Sequence, residues 1–250
     1  MKQLLFGLLV GLLWSGCSYG GVIEFEVGQI FPRKEQAEIL YPSSQGAVPT
    51  VVILQGARVR SKYYRAIGKR LAAEGALVMV PQHRSYLGES FAEQRVVNLL
   101  WQHIKDIADA GQLPVELDGR LFVMGHSFGS VAAMNIAEGI CRFPTCVGGF
   151  QSPEGLAGVV VYGYRRDKDV RNQVPLLMIQ GSLDDLSDAE VSFGRVQNHP
   201  KYFRVIEGGN HFSITDMNNP PGAVADPWVP TVTQAEAHEM MAGFIVDLLF

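Results

Sequence analysis

A serine at the centre of a Gly-x-Ser-x-Gly pentapeptide is the residue of this sequence best placed to do chemistry. The apolar run Leu-Phe-Val-Met at 121–124 stops at Gly-His-Ser-Phe-Gly, which occupies 125–129. A tight turn after a buried strand can hold a serine hydroxyl out as a nucleophile. Side chains at Gly125 and Gly129 would strike the neighbouring strand or helix, so glycine is expected at both positions. Ser127 is therefore the candidate nucleophile.

A serine hydroxyl also needs a base that takes its proton, and the base needs a group that orients it. The apolar run 174–180 leads into a loop that contains two acids, Asp184 and Asp185. The run 202–206 leads into a glycine-rich loop that contains His211. The sequence thus carries a serine, an acid and a histidine in that order, each on a loop after a different apolar run.

Apolar runs alternate with helical patterns along the chain. This alternation predicts an α/β fold with a mostly parallel twisted sheet of about eight strands and helices on both faces. Strands are predicted over 22–30, 36–41, 48–55, 76–81, 121–124, 156–162, 174–180 and 202–206, the first two as an antiparallel pair. Helices are predicted over 62–74, 91–110, 131–140 and 235–249. Function in such sheets collects in loops beyond the carboxyl ends of the strands, where the three candidate residues lie.

Taken together, the motifs resemble those of the α/β-hydrolase fold, from about residue 22 to the C-terminus. The resemblance rests on Gly-His-Ser-Phe-Gly at 125–129, Gln-Gly-Ser-Leu-Asp-Asp at 180–185 and Gly-Gly-Asn-His-Phe at 208–212. The chain is most similar to the compact dienelactone-hydrolase, chlorophyllase and polyester-hydrolase group, which lacks a large cap domain. In this family the acid generally lies three residues after the glycine that ends its strand. That spacing selects Asp184, with Asp185 and then Asp188 as alternatives.

The resemblance implies an enzyme that hydrolyses carboxylic esters without a cofactor or a metal. Ser127 would form the acyl-enzyme, His211 would move the proton, and Asp184 would orient the imidazole. The backbone N–H groups of Phe128 and Ala57 are the expected donors to the oxyanion. The expected substrate is a small-molecule or lipid-like ester.

Other functions are compatible with the same residues. A thioesterase or a serine peptidase could use the triad, since it does not distinguish leaving groups. A binding protein that keeps the fold without catalysis is the alternative from a different class. The sequence has no His-Gly-Gly-Gly run, so it bears little similarity to the lipases that carry one. Ala57 stands where polyester hydrolases usually have an aromatic residue, which argues against an aromatic polyester as substrate.

The first twenty residues predict a secretory signal, followed by a single catalytic domain over 21–250. Lys2 precedes an apolar stretch over 4–14, which is shorter than a membrane span of about 20 residues. Ser15-Gly16-Cys17 is similar to a bacterial lipobox, although Trp14 replaces the usual aliphatic residue. Lipidation of Cys17 and plain cleavage nearby both fit, and an uncleaved N-terminal helix is the alternative. The expected location is periplasmic, secreted or lipid-anchored, with membrane contact only through the anchor.

Composition excludes several other classes. A net charge of -4 over 250 residues gives no electrostatic reason to expect nucleic-acid binding. No histidine–carboxylate spacing is typical of a metal site. In an exported protein Cys141 and Cys146 could form a disulfide, and a free pair is equally compatible with the sequence.

The remaining histidines and two loops have expected structural roles. His126 is expected to pack beside the nucleophile rather than to act as a base. His83 could line the pocket or belong to the core, and His103, His199 and His238 are expected to be structural or solvent-facing. The stiff segment 220–230 could either wall the acyl pocket with Trp228 or connect elements at the surface. The segment 141–155 could be a short lid or an ordinary loop.

Overall fold

The structure is a computed structural model that describes residues 17–27, 33–43, 46–82, 90–140, 152–171, 173–197 and 200–250. Residues 1–16 of the predicted signal, His83, His199, the two cysteines of the 141–146 loop and most of the predicted lid lie outside these ranges. Across the described ranges, no helix is long and apolar enough to cross a bilayer.

Eight strands form a single, mostly parallel sheet. They are β1 (Cys17–Val27), β2 (Arg33–Pro42), β3 (Ala47–Leu54), β4 (Leu77–Pro81), β5 (Glu116–His126), β6 (Leu156–Tyr162), β7 (Leu176–Gly181) and β8 (Lys201–Ile206). Their order in space is β1-β2-β4-β3-β5-β6-β7-β8. β2 runs antiparallel to both β1 and β4, and every other neighbouring pair is parallel. The predicted α/β class and the mostly parallel sheet of about eight strands are confirmed.

Helices cover both faces of this sheet. They are α1 (Arg65–Ala73), α2 (Ser90–Asp109), α3 (Phe128–Glu138), α4 (Ala189–Gly194) and α5 (Gln234–Leu249). Successive side chains of a strand point to opposite faces. In β3, Val52 and Leu54 belong to the core that includes α2 and α3, whereas Val51 and Ile53 belong to the core that includes α1 and α5. The two-faced burial explains why the central strands are continuous apolar runs rather than alternating ones.

Several element boundaries differ from the predicted ones. β5 begins at Glu116 instead of residue 121, because its polar first half pairs with the start of β3, Ala47 opposite Glu116. The predicted helix over 62–74 opens with a 3-10 turn, Ser61–Tyr64, before α1. β1 begins at Cys17, inside the predicted signal segment. The short α4 has no counterpart among the predicted helices.

Parallel strands bring three loops to one edge of the sheet. β5, β6, β7 and β8 lie side by side, so their carboxyl ends meet at the same edge. β5 ends directly before Ser127, β7 ends three residues before Asp184, and β8 ends shortly before His211. The fold therefore gathers the three candidate residues on neighbouring loops.

Candidate active site

Ser127 lies in a sharp turn between β5 and α3. Its φ of 52° and ψ of −114° fall in a region that residues other than glycine rarely adopt, at a cost of about 1–3 kcal/mol. Its N–H donates to the carbonyl of Tyr162 over 2.8 Å, which ties the turn to β6. The residue is partly exposed. A strained but anchored turn thus holds the Ser127 side chain at the edge of the sheet, within reach of solvent.

The two glycines of the pentapeptide are required by close backbone contacts. A Cβ at Gly125 would overlap the backbone of Gly129 and Ser130, and a Cβ at Gly129 would overlap the carbonyls of Leu54 and Gln55. The strand before Ser127 and the helix after it are therefore in direct backbone contact with their neighbours. The steric reason predicted for both glycines is confirmed.

Asp184 and His211 form a buried pair. The His211 Nδ1 atom lies 3.0 Å from both carboxylate oxygens of Asp184. Only 7% of Asp184 and 4% of His211 is exposed. The Asp184 carboxylate also accepts hydrogen bonds from the Ser187 hydroxyl at 2.7 Å and from the Leu186 N–H at 3.0 Å. Four donors thus fix the carboxylate, because the Ser187 N–H adds a bond of 3.1 Å.

The two alternative acids are placed differently. Asp185 is exposed at the surface of the loop. Asp188 caps α4, where its side chain accepts a hydrogen bond from the Val191 N–H. Of the three acids, Asp184 is the one that the fold brings to His211.

The carboxylate of Asp184 stays ionised at neutral pH. Burial by itself would raise the pKa of Asp184, but the hydrogen bonds from His211, Ser187 and Leu186 outweigh it and hold the pKa below its usual range. An ionised carboxylate keeps the proton of His211 on Nδ1 and leaves Nε2 free to accept another. The pair therefore has the electrostatics of a general base with its orienting acid.

Two further loops converge on Ser127. The imidazole of His211 lies 5.0 Å, centroid to centroid, from that of His126, the residue directly before Ser127. On the other side, a Cβ at Gly56 would lie 3.4 Å from the Ser127 Cβ. The loop after β3 thus lies beside the Ser127 turn, and the loop after β8 lies beside the residue that precedes Ser127.

The two predicted oxyanion donors lie at the ends of these elements. Phe128 is the first residue of α3, where a backbone N–H has no partner within the helix and contributes to the positive end of the helix dipole. Ala57 occupies a turn closed by a hydrogen bond of 3.0 Å from the Val59 N–H to the Gly56 carbonyl. Arg58 in that turn has a φ of 61°. Within the described ranges, neither the Phe128 nor the Ala57 N–H has a hydrogen-bond acceptor.

Comparison of the sequence with protein-family models and with curated proteins finds no match.

His126 is a packing residue, as predicted, and it also makes two hydrogen bonds. Its side chain is fully buried. Its Nδ1 atom lies 2.8 Å from the Tyr64 hydroxyl, and its Nε2 atom lies 2.9 Å from the His211 carbonyl. Burial and the nearby His211 ring lower the pKa of His126 to about 3, so this imidazole is neutral at pH 7.

The neutral burial of His126 is expected to weaken the protein in acid. Unfolding lets this imidazole take up a proton wherever the pH lies between its ordinary pKa of 6.5 and its lowered pKa of about 3. In that window the titration of His126 should lower the free energy of unfolding by about 1.4 kcal/mol for each unit by which the pH decreases. Denaturant unfolding at pH 6, 5 and 4 measures the slope, and His126→Gln, which cannot titrate, is the control. Equal slopes in the two proteins would contradict the neutral state.

Asp226 is a buried residue that the sequence did not single out. It is 3% exposed, and its carboxylate accepts hydrogen bonds from the His211 N–H at 2.8 Å and from the Trp228 N–H at 3.0 Å. Its backbone exchanges two hydrogen bonds with the side chain of Asn219. The one available signal was an isolated acid in an apolar, proline-rich segment. The segment 220–230 is thus hydrogen-bonded to the loop that carries His211.

The two other described histidines have structural environments. His238 is buried and its Nε2 atom lies 3.0 Å from the Ile214 carbonyl, and His103 stacks on Phe25. Among the residues that the structure describes, no group of three His, Cys, Asp or Glu side chains is arranged to hold a metal ion. A cavity of about 670 Å³ beside the end of α3 is lined by none of the triad candidates.

Proposed function

We propose that this protein is a serine hydrolase with the α/β-hydrolase fold that cleaves carboxylic esters. The observation that carries the proposal is the buried Asp184–His211 pair, joined at 3.0 Å, on loops at the same sheet edge as the strained turn of Ser127. The order serine, acid, histidine along the chain and the mostly parallel eight-stranded sheet agree with it. A buried ion pair alone could be structural. Its position at the same sheet edge as a partly exposed, strained serine favours catalysis.

The first half of the proposed reaction acylates the serine. The Ser127 oxygen attacks the ester carbonyl carbon while His211 Nε2 takes the hydroxyl proton. The N–H groups of Phe128 and Ala57 donate to the oxyanion of the tetrahedral intermediate, each contributing about 3–4 kcal/mol of transition-state stabilisation. The carbon–oxygen bond of the ester then breaks, and His211 returns the proton to the leaving alkoxide. The acyl group remains on Ser127.

The second half releases the acid. A water molecule gives a proton to His211 and attacks the acyl carbonyl, and the same two N–H groups stabilise the second oxyanion. Collapse of this intermediate breaks the bond to Ser127, which regains its proton from His211. Asp184 stays ionised throughout and stabilises the imidazolium that forms in each half. The scheme needs no cofactor.

An apolar rim beside the site suits an apolar acyl chain. Segment 220–230 follows the loop that carries His211 and approaches the loop after β3 that carries Ala57, which we call the oxyanion loop. A Cβ at Gly222 would lie 3.9 Å from the carbonyl of Arg58 in that loop. Both backbone groups of Trp228 are hydrogen-bonded, to Asp226 and Asn210, while its side chain is 54% exposed. An exposed indole with a fixed backbone, on the segment that is hydrogen-bonded to the His211 N–H, offers a surface for small-molecule or lipid-like esters.

Trp228→Ala is therefore expected to raise KM for long-chain esters. The lost apolar contact is worth about 1–2 kcal/mol, which corresponds to a rise in KM of about 5- to 30-fold. Octanoyl and acetyl p-nitrophenyl esters compared on the same variant give the measurement, since the acetyl ester should be little affected. Phe250→Ala removes another exposed aromatic ring, at the C-terminus, and is the control. Equal effects on the two esters would show that Trp228 does not contact the acyl chain.

The proposed ester specificity is tested by a matched set of substrates. Initial rates are measured on p-nitrophenyl esters of increasing acyl length, and on a thioester and an anilide with the same acyl group. The proposal predicts the highest kcat/KM for an ester. A thioester preference would favour the thioesterase alternative, and cleavage of the anilide at a comparable rate would favour the peptidase. Absence of turnover on all of them would favour a binding protein.

We further propose that the chain is exported and processed directly before Cys17. In β1, Cys17 and Ser18 lie opposite Pro42 and Tyr41 of β2, so cleavage after residue 20 would remove paired residues from the strand. Intact mass spectrometry of the protein, purified from the cell envelope of the organism that makes it, should give a polypeptide that begins at Cys17, with or without added lipid. A mature chain that begins beyond Gly20 would contradict this.

A further inference from the structure

A buried chain of hydrogen bonds connects the three loops around Ser127. The Gly56 N–H donates to the Tyr64 hydroxyl oxygen over 2.8 Å. The Tyr64 hydroxyl and His126 Nδ1 are 2.8 Å apart, and His126 Nε2 is 2.9 Å from the His211 carbonyl. The chain therefore runs from the oxyanion loop, through the residue before the nucleophile, to the backbone of the histidine itself.

The donor and the acceptor of each hydrogen bond in this series follow from the chemistry of the groups that form it. A carbonyl only accepts, so His126 Nε2 must carry the proton that it shares with His211. A neutral imidazole then has an unprotonated Nδ1, which accepts the Tyr64 proton. The tyrosine oxygen is left to accept from the Gly56 N–H. Removing the Tyr64 hydroxyl would leave a donor and an acceptor unpaired at the same time.

Each member of the chain is out of contact with water. Tyr64 and His126 are both 0% exposed, and Gly56 is buried. Their polar groups therefore have no solvent to replace a lost partner. The rings of Tyr64, Tyr162, His211 and Phe212 surround the His126 imidazole at centroid distances of 5.0–6.0 Å.

We propose that Tyr64 and His126 are positioning residues that hold the oxyanion loop, the nucleophile turn and His211 in one arrangement. The proposal rests on the proposed function, because it assigns them to the reaction at Ser127. The hydrogen bond at Gly56 orients the peptide chain that leads to the Ala57 N–H. The His211 carbonyl accepts from His126 while the His211 N–H donates to Asp226, so the histidine backbone is held at both its N–H and its carbonyl.

A conservative pair of tyrosine variants tests the first half of the chain. Tyr64→Phe keeps the ring and removes only the hydroxyl, so kcat should fall by about 10- to 100-fold with KM changed less than about threefold. Tyr164→Phe is the matched control. Tyr164 is also 0% exposed, and its hydroxyl has no partner among the described residues. Its removal should change kcat by less than about twofold.

Variants of His126 test the second half. In His126→Gln the amide nitrogen can still donate to the His211 carbonyl, whereas His126→Leu loses both bonds. The glutamine variant should therefore retain at least about tenfold more activity than the leucine variant. In the double variant Tyr64→Phe with His126→Leu, the loss in kcat should be no larger than in His126→Leu alone. The effects of substitutions within one connected set of hydrogen bonds are not additive. Losses that multiply would overturn the proposal.

A measurement independent of turnover separates this proposal from the proposed function. Amide hydrogen exchange of Gly56, followed by NMR, should accelerate at least about tenfold in Tyr64→Phe and stay unchanged in Tyr164→Phe. Labelling of the native protein by a fluorophosphonate probe reports on Ser127 by itself. Labelling without any effect of Tyr64→Phe on kcat or exchange would overturn the positioning role alone. Altered exchange without labelling would leave the hydrogen-bond chain as a structural feature and overturn its catalytic role together with the proposed function.

Discussion

Ser127→Ala is expected to reduce ester hydrolysis by about 10⁴- to 10⁶-fold. Alanine removes the oxygen that attacks the carbonyl and leaves the hydrogen-bonded Asp184–His211 pair in place. No acyl-enzyme can then form, and the residual rate would come from binding and the oxyanion donors alone. The measurement is kcat/KM on a p-nitrophenyl ester, with active-site titration to exclude contaminating esterases.

The Ser127→Ala result depends on a folded protein. Alanine at position 127 would adopt the same positive φ as the serine, so the free energy of unfolding should change by no more than about 1 kcal/mol. Ser61→Ala replaces another partly exposed serine, outside the site, and should leave the rate unchanged. A folded Ser127→Ala protein that hydrolyses esters at the wild-type rate would show that the reaction takes place elsewhere.

Asp184→Asn is expected to lower kcat by about 10³- to 10⁴-fold. The asparagine side chain nearly preserves the shape of the carboxylate but can present an N–H to His211 Nδ1. The imidazole would then carry its proton on Nε2, where it cannot accept one from the serine. The measurement is kcat on a p-nitrophenyl ester, with wild type and variant compared at the same pH.

Asp185→Asn is the matched control for this prediction. The change is chemically the same, one residue further along the loop, but the side chain is exposed. Its kcat should stay within about twofold of the wild type. A larger loss at Asp185 than at Asp184 would transfer the role of the acid to Asp185 and contradict the hydrogen bonds observed at His211.

Sequence periodicity predicted the parts of the fold in which burial decides the pattern. The central strands are buried on both faces, so they appear as apolar runs that end where the loops begin. The polar first half of β5 was not predicted, because its strand conformation comes from pairing with β3 and a local sequence pattern contains no information on that pairing. α4 escaped for a similar reason, since six residues are too few to show a helical period.

The residues of the candidate site also fall into those that the sequence predicts and those that it does not. Ser127, Asp184 and His211 each follow an apolar run, so their placement at one edge could be predicted from strand ends alone. The roles of Tyr64 and Asp226 could not. Tyr64 lies 62 residues from its partner His126, and Asp226 lies 15 residues beyond the histidine whose backbone it holds. Such contacts depend on how loops pack after the sheet has formed.

The acyl-enzyme at Ser127 is the central claim, and covalent labelling tests it most directly. The native protein is incubated with a fluorophosphonate probe, digested, and the modified peptide is sequenced by mass spectrometry. We expect one probe per polypeptide, attached to Ser127, with labelling lost in Ser127→Ala and retained in Asp185→Asn. Labelling at any other residue, or catalytic turnover of esters by a protein whose Ser127 stays unmodified, would contradict it.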